Sequence, residues 1–169
     1  MRRLAFLAML ATSLHAARAS ADEPCGPLFV IERDTNANIV LYEVERHRDG
    51  AVDGQRPVRV TWRLDAEDGR REGLNIVERR WAYGVDVEPL AERDAWRLRV
   101  RALPTRPLIL HARARCPMVT ARIGGRDSIL RRVFVTASGG LIPSVSSVEL
   151  SGVDLETARP ITERFVPSR

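Results

Sequence analysis

PVRVTWRLD, residues 57–65, sets Val58, Val60, Trp62 and Leu64 on one parity and Arg59, Thr61, Arg63 and Asp65 on the other. WRLRVRA, residues 96–102, repeats the arrangement, with Trp96, Leu98, Val100 and Ala102 opposite Arg97, Arg99 and Arg101. Successive side chains of a strand point to opposite faces, so this alternation predicts strands with one face on a core and the other in water. Half-wetted strands of this kind belong to antiparallel sheets. Working outward, residues 28–33, 38–45, 85–90, 108–115, 119–123, 130–135 and 145–150 also read as strands. Turn dipeptides punctuate them at Asp49-Gly50, Asp53-Gly54, Gly124-Gly125, Gly139-Gly140 and Ser151-Gly152, and IGGRDS reads as a hairpin loop. The expected fold is mainly β, an antiparallel β-sandwich or barrel of about eight to nine strands with one short α-helix over about residues 75–83.

That helix rests on GLNIVERRWAYG, residues 73–84. Asn75 followed three residues later by Glu78 is a capping-box spacing, with Asn in place of the usual Ser or Thr. Val77 and Trp81 fall on one helical face, with Ile76, Arg80 and Tyr83 on the adjoining one. Arg79 and Arg80 sit late in the segment, where positive charge suits the helix dipole. Gly84 stands where a left-handed residue commonly ends a helix.

The 169-residue chain suits one domain. Arg2 and Arg3 precede the apolar run LAFLAMLATSL, and Ala19-Ser20-Ala21 supplies small residues after it. This reads as a Sec-type signal peptide over residues 1–21, cleaved after Ala21, with a single mainly-β domain over 22–169. The apolar run is too short to span a bilayer, and no later segment is apolar enough to cross one. The expected location is periplasmic or secreted. Every strong base is arginine; losing Arg2, Arg3 and Arg18 takes the basic count from 27 to 24 against 22 acidic groups, a net of +2. A nucleic-acid domain concentrates basic charge on one face, so no nucleic-acid partner is expected. In an oxidising compartment Cys25 and Cys116 are expected to pair. Closing that 91-residue separation stabilises by about 4–5 kcal/mol in the chain-entropy view.

Several chemistries lack support. Asp34, Asn36, Asn38 and Glu45 match positions of a calcium loop, but Ile39 stands where the loop needs glycine. Ser138 lies in TASGG, a glycine-rich turn without a nucleophile-elbow pattern. His47 and His111 show no metal-ligand spacing, so neither metal nor cofactor is expected. The carboxylates of DAEDGRRE (Asp65, Glu67, Asp68 and Glu72) offer acid–base pairs but read as a solvated loop beside Arg70 and Arg71. A polar cluster remains. Arg33, Asn36, Asn38 and Tyr42 gather near one strand end, and the helix brings Glu78 and Tyr83. These are side-chain types that orient a polar ligand at the mouth of an apolar pocket.

LFVIERDTNANIVLYE, PVRVTWRLDAEDGRRE, LNIVERRWAYG and PSVSSVELSGVD together resemble a domain-of-unknown-function family of exported bacterial proteins. Its recurring elements fall here on Phe29, Ile31 and Arg33, on Asn36, Asn38, Ile39, Val40 and Tyr42, on Pro57, Val58, Val60 and Trp62, on Ala82, Tyr83 and Gly84, and on Pro143, Val145, Glu149, Leu150 and Gly152. The resemblance spans nearly all of the chain after the leader and carries over no activity. The expected role is an exported binding or structural module of the envelope, taking a small polar or anionic ligand or an envelope component. The alternative is a small periplasmic hydrolase using a carboxylate pair. A third reading is an anion-binding module using Arg97, Arg99 and Arg101.

Overall fold

The computed structural model describes residues 25–113, 115–138 and 144–167; the predicted leader and the Gly139-Gly140 turn lie outside the described residues. Eleven strands join in one curled, half-barrel sheet: β1 (Phe29–Arg33), β2 (Asn36–Val44), β3 (Val58–Leu64), β4 (Arg70–Gly73), β5 (Val85–Pro89), β6 (Ala95–Val100), β7 (Leu108–His111), β8 (Met118–Ile123), β9 (Arg126–Ser138), β10 (Ser144–Asp154) and β11 (Pro160–Phe165). Their order is β4-β3-β2-β1-β9-β8-β7-β6-β5, with β10 on β9 and β11 on β10. The chain is mainly β with one short helical segment, as its alternation predicts.

β9 is the branch point. Its first residues pair antiparallel with β8, from Arg126 with Ile123 to Ile129 with Thr120. The next stretch pairs in parallel with β1, from Arg132 with Val30 to Val135 with Arg33. β10 runs along the opposite edge of β9 throughout. Two arms, β1 to β4 and β8 to β5, therefore leave one edge of β9 in succession and curl toward each other. The parallel β1–β9 pair is the departure from an all-antiparallel sheet. The core forms between the arms, joining Phe29, Tyr42 and Trp62 of one to Leu98, Leu110 and Val119 of the other. The alternation lands as expected, with Trp96, Leu98 and Val100 buried and Arg97, Arg99 and Arg101 exposed.

Two strands escape a periodicity search. In β4 all four residues, RREG, are exposed, so no alternation marks it; part of the expected DAEDGRRE loop is in fact this edge strand. It forms because Asp68 and Gly69, at φ 63° and 78°, turn the chain back along β3. β11 has only half-buried and exposed residues. Conversely, Ser151-Gly152 is a bulge inside β10 and not a turn. Glycine is needed there because a Cβ would lie 2.2 Å from the Ile129 carbonyl oxygen.

Cys25 and Cys116 form the expected disulfide, their Cα atoms 5.4 Å apart. It ties the start of the described chain to the approach to β8. Among the described residues no helix is long and apolar enough to cross a membrane.

The capping box is present: the Asn75 side chain accepts the Glu78 N–H at 2.9 Å, and Glu78 accepts the Asn75 N–H at 3.0 Å. Only α1 (Ile76–Glu78) is α-helical; Arg79–Tyr83 widens into a π turn. Gly84 departs from expectation, at φ −60° and ψ 155°, which is extended backbone. It is glycine for another reason: a Cβ would lie 1.8 Å from the Arg79 carbonyl oxygen. Ile76, Val77 and Trp81 are 84%, 67% and 73% exposed, whereas Leu74 and Tyr83 at the segment's ends are buried. The segment is thus pinned at both ends and shows its apolar middle to solvent.

Candidate functional site

The β1–β2 connection is tight. Arg33 pairs across it with Asn36, whose side-chain oxygen accepts the Asn38 N–H at 2.9 Å. Asn38 in turn accepts the Ala66 N–H at 3.3 Å, which fastens the start of β2 to the 3-10 turn (Asp65–Glu67) after β3. Both asparagines thus shape the chain before they could serve a ligand.

Arg33 ends β1 with its guanidinium carbon 5.5 Å from the Trp62 ring centre and 5.6 Å from that of Tyr83. The two rings meet edge to face at 5.2 Å. A cation over aromatic faces is attracted by their quadrupoles, more strongly as water is excluded. Arg33 Nε is buried and has no hydrogen-bond partner among the described residues. A buried donor left unpaired costs about 1–3 kcal/mol, so its persistence needs a reason.

A cavity of about 260 Å³ opens beside this arginine, and Asn36, Asn38, Trp62, Glu72 and Glu78 line it with Arg33. Tyr83 contributes the ring against Arg33. Burial raises the Tyr83 hydroxyl pKa; the Arg33 charge draws it down and Glu78 pushes it up. The structure thus sets Arg33, Asn36, Asn38 and Glu78 around the cavity, with the Tyr83 ring against Arg33 outside that lining.

Tyr42 stands apart. It is fully buried, stacks on Phe29 with ring centres 4.3 Å apart, and donates its hydroxyl to the Tyr83 carbonyl at 2.8 Å. Burial first, then the neighbouring Tyr83, holds its pKa well above the ordinary phenol value. It is a pillar under the helical segment and does not line the cavity. Glu72, on the edge strand that periodicity missed, lines it instead.

The other candidate groups are engaged with each other. Arg63 donates to both Asp65 oxygens, at 2.7 and 3.0 Å, and this hydrogen bond lowers the Asp65 pKa. Glu67 and Glu72 both pair with Arg70. A general acid needs a raised carboxyl pKa, and that of Asp65 moves the other way. Across the β5–β6 ladder, Arg97 meets Glu88 at 3.0 Å and Arg101 meets Asp86 at 2.7 Å, which offsets much of the arginine face. His111 Nε2 lies 3.1 Å from the Thr120 hydroxyl. Among the described residues no group of three His, Cys, Asp or Glu side chains is placed to hold a metal ion.

A larger cavity, of about 620 Å³, lies between β3 and β5. Sequence reading did not find it, because it depends on which strands fail to pair.

No curated protein and no solved structure matches the chain. One family model does, over residues 29–164. The matched span opens on the first residue of β1 and closes within β11, so it encloses the sheet, both cavities and the helical segment but leaves Cys25 outside. On this match the chain belongs to the family described as Domain of unknown function (DUF4833).

Proposed function

We propose that the protein is an exported, single-domain binding module, residues 22–169 after loss of a signal peptide, that takes a small polar ligand at the Arg33 cavity. The observation that carries this reading is the buried, unpaired Arg33 Nε beside an open cavity lined by polar side chains. A guanidinium held between two rings keeps its planar donors in a fixed direction, which suits a carboxylate or similar planar acceptor. Glu72 and Glu78 on the same wall outnumber the single arginine. They favour a zwitterionic or hydroxyl-rich molecule over a polyanion. The Cys25–Cys116 bridge supports an oxidising, periplasmic or secreted setting.

The test is ligand-dependent thermal stabilisation across a panel of small carboxylates, zwitterionic amino acids and polyols, with Trp62 fluorescence as a local reporter. Wild-type protein gains melting temperature with at least one compound, and Arg33→Ala stays folded but loses that gain. If Arg33→Ala instead melts earlier and no compound stabilises either form, Arg33 is a packing residue and the reading fails.

A further inference from the structure

The large cavity is bounded by two strand edges that lack a partner among the described residues. β4 covers β3 only from Thr61 to Leu64, and β5 pairs only with β6. Backbone N–H and C=O groups of one residue point the same way in a strand, and neighbours alternate. The Pro57 carbonyl accepts from Glu45 of the strand connection beside β2 at 2.9 Å, so the backbone groups of Val58 and Val60 point away from β2, into the gap. The Gly84 carbonyl accepts from Arg101 at 3.0 Å, so those of Val85 and Val87 point away from β6, into the same gap.

The pairings make β3 and β5 run in the same direction, so one strand antiparallel to both would complete the sheet around the half-barrel. β4 already runs that way. Continued past Gly73, its line would pass beside Val60 and Val58. The chain instead leaves the sheet at Leu74 and crosses to β5 through the helical segment. The gap is the place that β4 vacates.

We propose that this gap accepts an extended segment of a partner polypeptide, added as a β-strand between β3 and β5 and carrying apolar and acidic residues in alternation. Main-chain bonds to two exposed edges give such a complex its affinity, and alternate side-chain positions give it specificity. On the inner side, Val58, Val60, Val85 and Val87 are half-buried against the core and present an apolar floor. Arg56, Arg59 and Arg79 line the gap with Glu45 and Asp86. Both carboxylates are already engaged, Glu45 with Arg59 at 3.5 Å and Asp86 with Arg101 at 2.7 Å, and Arg56 reaches Asp53 at 3.9 Å. Arg79 is the lining cation left without an ion pair among the described residues, and its charge selects an acidic side chain on the partner. The segment that lends Leu74, Arg79 and Gly84 to the lining also carries exposed Ile76, Val77 and Trp81.

The test uses the disulfide-bonded chain and three capped hexapeptides: valine alternating with glutamate, valine alternating with lysine, and the glutamate peptide N-methylated at each valine. Amide hydrogen exchange is the readout. The glutamate peptide should slow exchange at Val58, Val60, Val85 and Val87 by about tenfold or more, and the other two peptides should not. Val87→Pro removes one gap-facing donor while sparing the bonds to β6, in a strand that already ends in Pro89; it should melt as the wild type does and lose the effect. Unslowed exchange at these four amides overturns the proposal. Equal slowing by the N-methylated peptide also overturns it, since that result means anion capture by the arginines without strand pairing. Equal slowing by the lysine peptide overturns the charge selection. Arg33→Ala should leave the slowing intact, so this gap and the Arg33 cavity can fail separately.

Discussion

The β9–β10–β11 end of the sheet and the β3–β5 gap are made of similar alternating strands, yet they differ in how fully the chain satisfies itself. At the first, β10 has β9 on one side and β11 on the other, and Val133, Val148 and Leu150 are buried. The turn that follows is held by Asp154, which is 3% exposed. It accepts the Glu156 and Thr157 N–H groups at 2.9 and 2.8 Å and an Arg126 donor at 3.1 Å. At the second, two strand edges face an open cavity, and a buried Arg33 donor has no partner among the described residues. The first end completes the ladder around β10 and leaves β11 as a single edge strand, whereas the second leaves two strand edges on one open cavity. Stability concentrates where pairing is complete, and recognition surfaces are drawn from the remainder.

The largest expected effect tests the completed end. Leu150→Ala should cost about 2–5 kcal/mol in urea unfolding, the range for truncating a buried leucine, while Val60→Ala at the gap edge should cost clearly less. Equal losses would mean the gap is as tightly packed as the hub, and the contrast would collapse. Next comes Gly84→Ala, expected to cost about 1–3 kcal/mol because the new Cβ must displace the Arg79 carbonyl. Gly84→Asn should be equally harmful. Asparagine tolerates left-handed backbone, so a milder Asn variant would point to conformation and away from crowding.

Asn75→Ala should cost about 0.5–2 kcal/mol by removing the cap, seen as a lower melting temperature. A larger loss would show that the helical segment supports the core and does not simply cross the gap. The smallest effect is Trp81→Ser. Its side chain is 73% exposed, and the change should shift stability by less than about 0.5 kcal/mol. A substantial loss by calorimetry would place Trp81 in a stabilising contact within the folded chain.

Legibility in the sequence follows from the range of each interaction. Alternation at Val58 to Leu64 and Trp96 to Ala102 reports which face of each strand is wet, a local property. The Asn75–Glu78 capping box is also local, closing within four residues. Arg33 and Tyr83 meet although 50 positions separate them, and their residue types alone suggested it. Tyr42 was drawn into the same cluster by chain proximity. Strand pleating sent its side chain to the core face, where its hydroxyl reaches the Tyr83 carbonyl. β4 was invisible because all of its side chains are wet, and Gly84 was misread because its constraint comes from a carbonyl five residues back and not from its own φ.

By itself, then, the sequence determined the β class, the position of the helical segment and the cysteine pair, because periodicity, capping and residue chemistry act over a few positions or within one residue type. Only the tertiary structure decided that β1 joins β9 in parallel, that two arms share one edge, and that β3 and β5 face each other unpaired. Strand pairing is a choice among distant segments with similar local patterns. It is settled by how the whole sheet twists and closes on one core.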